Sequence, residues 1–337
     1  MNPLHSLNIK YPIIQAPMAG VTTPEFTAAS AEAGLLGSIG AGYLTADATR
    51  EAISDVRKLT DLPFSVNLFV PDDPPFVQED IRNAYLALQP IGGKLGLPFW
   101  KAPLSEPDYE RQLQVVLEEK PAVCSFTFGL PARESVQALQ DSGIIVAGTA
   151  TTVEEAVAVE ELGMDMVVLQ GAEAGGHRGS FEPDGPLVTL DGLLAEATEK
   201  LEIPLIAAGG IATASRMREL LAAGAAAVQI GTVLLAADES GAAPAYKGAV
   251  LEAAGDPTVI TSVFSGRPAR GIRNAFIDQM AGSPIAPYPI QNDLTKRLRK
   301  EAAVQGNAEF LSLWAGTEVA RSGSGTVKEI VARFLAE

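Results

Sequence analysis

The 337-residue chain has very little cysteine and histidine, and these shortages restrict its chemistry. Its single cysteine, Cys124, cannot form an intrachain disulfide or a cysteine-based zinc or iron–sulfur site. The two histidines, His5 and His177, lie far apart in the sequence, which argues against a histidine-rich metal site. We therefore expect no bound metal. Because Cys124 lies within an apolar run, we interpret it as a core residue.

Basic residues are also scarce. The chain has 25 Lys and Arg against 41 Asp and Glu, which gives a net charge of −16. This charge opposes nucleic-acid backbones and anionic membranes, so we expect neither as a partner. The N-terminal residues lack the basic and apolar regions of a secretory signal. Gly224 divides the long apolar stretch 220–237 into a helix end and a strand, so this stretch predicts buried barrel and not a membrane span. We expect a cytoplasmic protein.

Short apolar runs alternate with amphipathic stretches along the chain. The runs are continuously apolar, as strands buried on both faces should be. Eight candidate strands lie at 13–18, 36–40, 64–70, 122–128, 144–148, 166–170, 204–208 and 227–230. Candidate helices lie at 24–33, 46–59, 109–119, 132–141, 153–162 and 214–223, with Thr23, Thr152 and Thr213 as N-caps. This α/β pattern predicts a TIM (β/α)8 barrel, with a doubly wound open sheet as the alternative.

Two segments depart from the alternation. Residues 71–107 contain seven prolines and predict a lid or binding loop. Residues 238–311 follow the eighth strand and predict an inserted, mainly helical subdomain on the substrate side. We therefore divide the chain into a barrel at 1–237, this subdomain at 238–311, and a C-terminal helix at 312–337 that returns to the barrel.

Ligands of a parallel barrel bind where the C-terminal ends of its strands meet. The residues at these ends include Ala16, Pro17, Met18, Asn67, Gln170, Gly209, Gly210, Gln229, Gly231 and Thr232. Glycine-marked turns after the last two strands predict phosphate binding through backbone N–H groups. The amides of Asn67, Gln170 and Gln229 are suited to the edge of a flavin or a similar heterocycle. These residues alone do not identify the ligand as a flavin. The chain has no Gly-x-Gly-x-x-Gly or Walker motif, which argues against a Rossmann dinucleotide site and a P-loop site.

The sixth candidate strand runs directly into a glycine-rich segment, 170–179, that contains Gly175, Gly176 and His177. Glycines allow the backbone to approach a ligand closely, and histidine titrates near neutral pH. The segment therefore predicts a functional imidazole at the same face. The alternative is a solvated loop histidine.

Six motifs, read together, resemble the nitronate monooxygenase family, formerly called 2-nitropropane dioxygenases. They are Ile-Ile-Gln-Ala-Pro-Met-Ala-Gly at 13–20, Ser-Phe-Thr-Phe-Gly at 125–129, the segment 170–179, Ala-Ala-Gly-Gly-Ile at 207–211, Gln-Ile-Gly-Thr at 229–232 and Ser-Gly-Arg-Pro-Ala-Arg-Gly at 265–271. The second and last are similar to the class I branch. The resemblance implies noncovalent FMN on a TIM barrel. It also implies oxidation of alkyl nitronates, such as propionate 3-nitronate, by O₂ to carbonyl compounds and nitrite.

The resemblance also implies roles for particular residues. Asn67, Gln170, Gly175, Gly210 and 229–232 match flavin-contacting positions, and His177 matches the catalytic histidine. An imidazole can remove a proton next to a nitro group or donate a hydrogen bond to a nitronate oxygen, and the second role suits a substrate that is already an anion. Flavin-dependent enoyl-acyl-carrier-protein reductases and quinone reductases are similar around the same element, so an NAD(P)H oxidoreductase is the alternative function.

Residues of the inserted region are candidates for substrate binding. Arg267, Arg270, Arg273 and Lys296 either meet a substrate anion or form surface ion pairs. Tyr288, between two prolines, is a candidate pocket residue. Trp100 and Trp314 are interpreted as packing residues. The sequence leaves open whether the protein is a homodimer.

Overall fold

Eight parallel strands form a barrel in the computed structural model, which describes residues 3–71, 76–104 and 108–336. The strands of the described chain are β1 (Ile13–Gln15), β2 (Gly37–Gly40), β3 (Phe64–Phe69), β4 (Val123–Thr127), β5 (Ile145–Ala150), β6 (Met166–Gln170), β7 (Gly176–His177), β8 (Leu205–Ala208), β9 (Ala227–Ile230), β10 (Thr258–Thr261) and β11 (Ala269–Ile272). The barrel order is β1-β9-β8-β6-β5-β4-β3-β2. Leu36 closes the ring against β1, since its N–H donates to Ile13 O at 3.0 Å and its carbonyl accepts from Gln15 N at 2.9 Å. The TIM barrel prediction is therefore confirmed, and the open-sheet alternative is wrong.

Helices connect the strands and cover the barrel. They are α1 (Pro24–Glu32), α2 (Ala46–Leu59), α3 (Gln78–Lys94), α4 (Tyr109–Glu119), α5 (Arg133–Asp141), α6 (Val153–Glu161), α7 (Leu190–Lys200), α8 (Ala214–Ala222), α9 (Pro244–Leu251), α10 (Ala275–Met280), α11 (Ile290–Val304) and α12 (Val327–Ala336). The N-caps predicted at Thr23, Thr152 and Thr213 are confirmed, because each side chain accepts from a backbone N–H three residues on. These caps fix where α1, α6 and α8 begin.

The lid or binding loop predicted across 71–107 is wrong for its central part. Residues 78–94 form α3, which contains Pro90 and packs against α11. Ala84, Leu88 and Ile91 are buried at helical spacing, so burial of this face stabilises the helix despite the proline. Prolines 74, 75 and 107 lie outside the described residues.

The chain after β9 adds a second layer over one end of the barrel. It contains α9, α10 and α11, but also β10 and β11, and β11 pairs antiparallel with β7. The region is therefore helical with a small sheet. Helix α12 then packs between α8 and α1 as the last barrel helix. The boundaries at 237 and 311 stay a prediction.

Several residues have the structural roles expected of them. Cys124 is fully buried in β4, and burial raises the pKa of its thiol. Trp100 is buried and donates from its indole N–H to Leu294 O at 2.9 Å.

Across the described ranges, no three His, Cys, Asp or Glu residues are grouped so as to hold a metal ion. The same ranges contain no helix that is long and apolar enough to span a membrane.

Gly37 in β2 is a close-packed point between the barrel and α1. A Cβ built there would lie 2.2 Å from the carbonyl oxygen of Thr27 in α1, a backbone atom that cannot move aside alone. We expect Gly37→Ala to lower the free energy of unfolding by about 2 kcal/mol or more. The matched control is Gly93→Ala in α3, where a Cβ meets nothing within 4 Å, so its stability should be unchanged or slightly higher. Chemical denaturation of both variants measures this, and equal midpoints would contradict the packing argument.

Candidate active site at the C-terminal face of the barrel

A cavity of about 190 Å³ opens where the C-terminal ends of the barrel strands meet. The structure brings to its wall His177 and every residue that the sequence assigned to cofactor binding. These are Ala16, Pro17, Met18, Asn67, Gln170, Gly175, Gly176, Gly209, Gly210, Gln229, Gly231 and Thr232. Residues at the C-terminal ends of five barrel strands, β1, β3, β6, β8 and β9, therefore meet in one site.

The floor of the cavity is built from closely packed backbone. Gly209 and Gly210 after β8 have φ angles of 114° and 64°, which side-chain-bearing residues rarely adopt. A Cβ on Gly209 would lie 2.9 Å from Ala174 N, and one on Gly175 would lie 2.5 Å from Gly316 N. Thr232 binds the same closely packed backbone, because its Oγ1 accepts a hydrogen bond from Gly316 N at 3.0 Å. Backbone N–H groups in such turns can hold an anionic group.

Two amide side chains face the cavity with polar atoms to spare. Asn67 donates from Nδ2 to Ser125 O at 3.2 Å, Ser125 Oγ at 3.0 Å and Thr127 Oγ1 at 3.1 Å, which leaves Oδ1 as an acceptor. The Gln229 side chain has no hydrogen bond to the part of the chain that the structure describes. Both amides could therefore bind the polar edge of a cofactor.

Gln170 uses its amide differently. Its Nε2 donates to His177 O at 3.0 Å, and its Oε1 accepts from Gly179 N at 2.7 Å. Both amide atoms hold the loop that carries His177, although the side chain also lines the cavity. Gln170 thus positions this loop, a function that its place at a strand end does not reveal.

His177 is held by neighbours on three sides. In β7 it pairs with Ala269 of β11, and its Nε2 lies 2.8 Å from Ser265 Oγ. Its ring centroid lies 5.4 Å from that of Trp314, 5.9 Å from Phe128 and 6.2 Å from Tyr288. The imidazole is therefore packed into an aromatic wall rather than solvated in a loop.

The charge state of His177 follows from this packing. Burial, followed by the nearby guanidinium groups of Arg299 and Arg267, lowers the pKa of His177 from 6.5 to about 3. Desolvation and two like charges both disfavour the imidazolium. His177 is consequently neutral near pH 7. The buried carboxylate of Asp293 acts on Arg299 and Tyr288 and offsets part of the positive charge around the site.

Arg267 is fully buried behind the cavity wall, so the surface ion-pair interpretation is wrong for it. Its guanidinium carbon lies 4.3 Å from the Phe128 ring centroid and 5.9 Å from that of Tyr288, and it donates to the carbonyls of Ser180 and Phe181. Phe128 has a φ of 78°, an uncommon backbone conformation for a bulky residue. Arg267 does not line the cavity. Its charge acts on His177 from behind the rings of Phe128 and Tyr288.

Tyr288 is buried and supports the same wall. Its phenol interacts electrostatically with that of Tyr43, which lines the cavity, and burial raises the pKa of Tyr288. The Tyr43 ring meets Phe69 edge-on at 5.3 Å, and Phe69 lies 4.6 Å from Phe128. Tyr288 therefore backs the cavity rather than lining it.

The structure does not bring the other predicted basic residues into the site. Lys296 is exposed on α11. Arg273 forms an exposed ion pair with Asp278 at 2.7 Å, as the surface alternative predicted. Arg270 binds Ala172 O at 2.9 Å and Thr258 Oγ1 at 3.0 Å, which ties the loop after β6 to the small sheet.

Sequence reasoning also missed four residues of the site. Tyr43 follows the end of β2, so the strand-end rule could have found it. Trp314, interpreted as a packing residue, lines the cavity beside His177. Ser265 begins the motif at 265–271, but sequence reasoning assigned it no role of its own. Arg299 lies on α11, and no local pattern marks it.

Fold and site together define a barrel enzyme with a cofactor-sized cavity and a histidine at its wall. The chain matches the family model described as nitronate monooxygenase over residues 2–337. It is 44% identical over 317 residues to a probable nitronate monooxygenase of Staphylococcus saprophyticus, covering 92% of this chain and 89% of that protein. A Bacillus subtilis protein of the same description is 40% identical, covering 93% and 91%. The chain belongs to the nitronate monooxygenase family and is an oxidoreductase, so the predicted family is confirmed.

Two solved structures are also similar. A nitroalkane oxidase from Streptomyces ansochromogenes has a TM-score of 0.94 at 39% identity, covering 99% of this chain and 97% of that one. FabK from Thermotoga maritima has a TM-score of 0.77 at 30% identity, covering 99% and 94%.

The lowered pKa of His177 predicts a pH-dependent contribution to stability. The unfolded chain takes up a proton at His177 near pH 6.5, while the folded protein resists protonation down to about pH 3. Stability is therefore lost as the pH falls from 6.5 toward 3, by up to about 1.4 kcal/mol per pH unit. Arg267 and Arg299 keep their charge in this window, and Tyr288 stays neutral. Relative to wild type, His177→Gln should lose less stability between pH 6.5 and 4.5 in denaturant titrations, whereas exposed His5→Gln should follow wild type. Parallel curves for His177→Gln and wild type would refute the assigned shift.

Proposed function

We propose that this protein is an FMN-dependent enzyme that oxidises alkyl nitronates, such as propionate 3-nitronate, by O₂ to carbonyl compounds and nitrite. The family assignment and the similarity to a nitroalkane oxidase support a nitro compound as the substrate. The observation that carries the proposal is a neutral His177 near the guanidinium groups of Arg267 and Arg299, beside a cavity with a glycine floor.

The residues of the cavity fit FMN. The backbone at 209–210 and 231–232 offers N–H groups in tight turns to a phosphate. Asn67 offers Oδ1 and Gln229 a whole amide to the polar edge of a heterocycle. When bound, a flavin would supply a two-electron acceptor that O₂ can reoxidise. The protein contributes the binding, the orientation and the electrostatic surroundings.

The charges around the cavity favour an anionic substrate. A nitronate carries its negative charge on the nitro oxygens, and the field of Arg267 and Arg299 attracts that charge in a site removed from water. The rings of Tyr43, Phe69 and Phe128 supply apolar area for an alkyl chain and limit the access of water. Arg267 and Tyr288 support this wall from behind. The exposed Lys296 has no part in the proposal.

An NAD(P)H oxidoreductase of the enoyl-acyl-carrier-protein reductase or quinone reductase type is the second candidate. The similarity to FabK along almost the whole chain favours it. The two candidates share a cofactor and differ in the reductant. A cytoplasmic location and a homodimer would suit either candidate, and the location stays a prediction.

The Gly209–Gly210 turn tests where the phosphate binds. In Gly210→Val, the left-handed φ of 64° becomes strained and the new Cβ would lie 3.1 Å from Glu173 Cβ. We expect the purified variant to contain less than about a tenth of the wild-type FMN, since each 1.4 kcal/mol lost from binding weakens it about tenfold. Gly143→Val is the control, because Gly143 also has a positive φ, 81°, but is exposed at the end of α5. Flavin absorbance per protein measures occupancy, and equal depletion in both variants would mean that backbone strain alone is responsible.

The choice between the two functions needs one pair of assays. With propionate 3-nitronate under air, we expect O₂ uptake and nitrite release, and with NADH or NADPH under anaerobic conditions we expect slow or absent flavin bleaching. The reason is that no dinucleotide-binding fingerprint follows β1 and that the motifs at 125–129 and 265–271 resemble the class I branch. Rapid bleaching by NADPH without nitrite release would replace the first proposal by the second. A protein without flavin that FMN cannot reconstitute would overturn both.

A further inference from the structure

The side chain of Ser265 sits at the junction of three polar groups. Its Oγ lies 2.8 Å from His177 Nε2, 3.1 Å from the carbonyl oxygen of Arg267 and 3.3 Å from Arg267 N. Ser265 is 2% exposed, so water does not compete for these bonds. The hydroxyl has one proton to donate and two lone pairs with which to accept.

The hydrogen-bonding requirements of these groups decide where that proton goes. The carbonyl oxygen can only accept and Arg267 N–H can only donate, whereas His177 Nε2 can do either. If the hydroxyl donates to the carbonyl, its lone pairs accept from Arg267 N–H and from a protonated Nε2, and all three contacts are used. If it donates to Nε2 instead, the buried carbonyl loses this bond, which is costly. The geometry therefore favours His177 with its hydrogen on Nε2.

The other ring nitrogen, Nδ1, faces the cavity. Within the described residues it has no hydrogen bond to the protein, yet it is not among the fully buried polar atoms that lack one. His177 itself lines the cavity. In a neutral imidazole protonated at Nε2, Nδ1 carries a lone pair and can accept a proton but cannot donate one.

We propose that Ser265 is a positioning residue that locks His177 in the Nε2–H tautomer and so presents an unprotonated Nδ1 to the substrate. The catalytic consequence rests on the proposed function. In this tautomer, His177 Nδ1 meets the substrate as a hydrogen-bond acceptor and not as a hydrogen-bond donor. With a neutral nitroalkane, the α C–H bond breaks, its electron pair moves into the nitro group to give the nitronate, and the proton forms a new bond to Nδ1. The negative charge of the new nitronate offsets the positive charge of the imidazolium, which burial and the two guanidinium groups disfavour. A preformed nitronate needs no such step.

The tautomer can be read directly because the chain has only two histidines. In long-range ¹H–¹⁵N spectra of the ¹⁵N-histidine-labelled, flavin-loaded protein, a neutral imidazole gives distinct patterns for its two tautomers, and His5→Gln assigns the remaining signals to His177. We expect the Nε2–H pattern in the wild type and a mixture, or the Nδ1–H pattern, in Ser265→Ala. An Nδ1–H or imidazolium pattern in the wild type overturns the proposal without any variant being made. Because this measurement involves no turnover, its outcome is independent of whether nitronates are the substrate.

Kinetics test the consequence for the reaction. Ser265→Ala should lower kcat for a neutral nitroalkane such as nitroethane by about tenfold or more, since a misplaced base loses part of the 10²–10⁴-fold that general base catalysis supplies. Its kcat for the preformed nitronate should change by less than about threefold, because that reaction needs no base. Ser240→Ala is the matched control, since Ser240 is also buried and its Oγ also accepts from the N–H two residues on, of Ala242, at 3.2 Å. Equal losses on both substrates, or a nitroalkane rate no lower than that of the control, would contradict a role through the tautomer.

Discussion

The antiparallel pairing of Gly176 and His177 with Arg270 and Ala269 is the contact on which the site depends. It joins the loop after β6 to the segment that follows the barrel, two regions that no local interaction would bring together. From the turn just before β11, Ser265 reaches the His177 ring and Arg267 reaches Phe128. Arg270 adds a second tie by binding Ala172 O across the same junction. Without the pairing, the loop that carries the imidazole would be held to the barrel chiefly by the amide of Gln170.

The buried guanidinium of Arg267 contributes to the electrostatics of the site, together with burial of the imidazole and the charge of Arg299. Removing this charge from water is costly, and the Phe128 face and the carbonyls of Ser180 and Phe181 offset part of that cost. The charge in turn disfavours the protonated form of His177. A residue that does not line the cavity therefore contributes to the charge state of the imidazole.

The sequence predicted those parts of the molecule that follow from periodicity and from the geometry of barrels. Strands buried on both faces read as continuous apolar runs, and their C-terminal ends converge by topology, so all twelve predicted cofactor residues line one cavity. Tertiary roles were beyond this reasoning. Gln170 stands at a strand end like Asn67, yet its amide holds the His177 loop, and only the folded loop reveals that. Lys296 and Arg299 are three residues apart on α11, and the packing of that helix alone decides that Arg299 lies near the site while Lys296 is exposed.

The two layers of the site have different consequences for function. The floor of glycine turns and strand-end amides comes from the barrel. The groups that support the wall from behind come from the chain after β9, where Ser265, Arg267, Tyr288 and Arg299 lie around a single histidine. Because a fold hosts many activities while the side chains of its site choose among them, two relatives with the same floor can differ in reaction when their walls differ. Similarity to both a nitroalkane oxidase and FabK is expected on these terms, and the residues that decide between the two reactions should be sought in the wall rather than in the barrel.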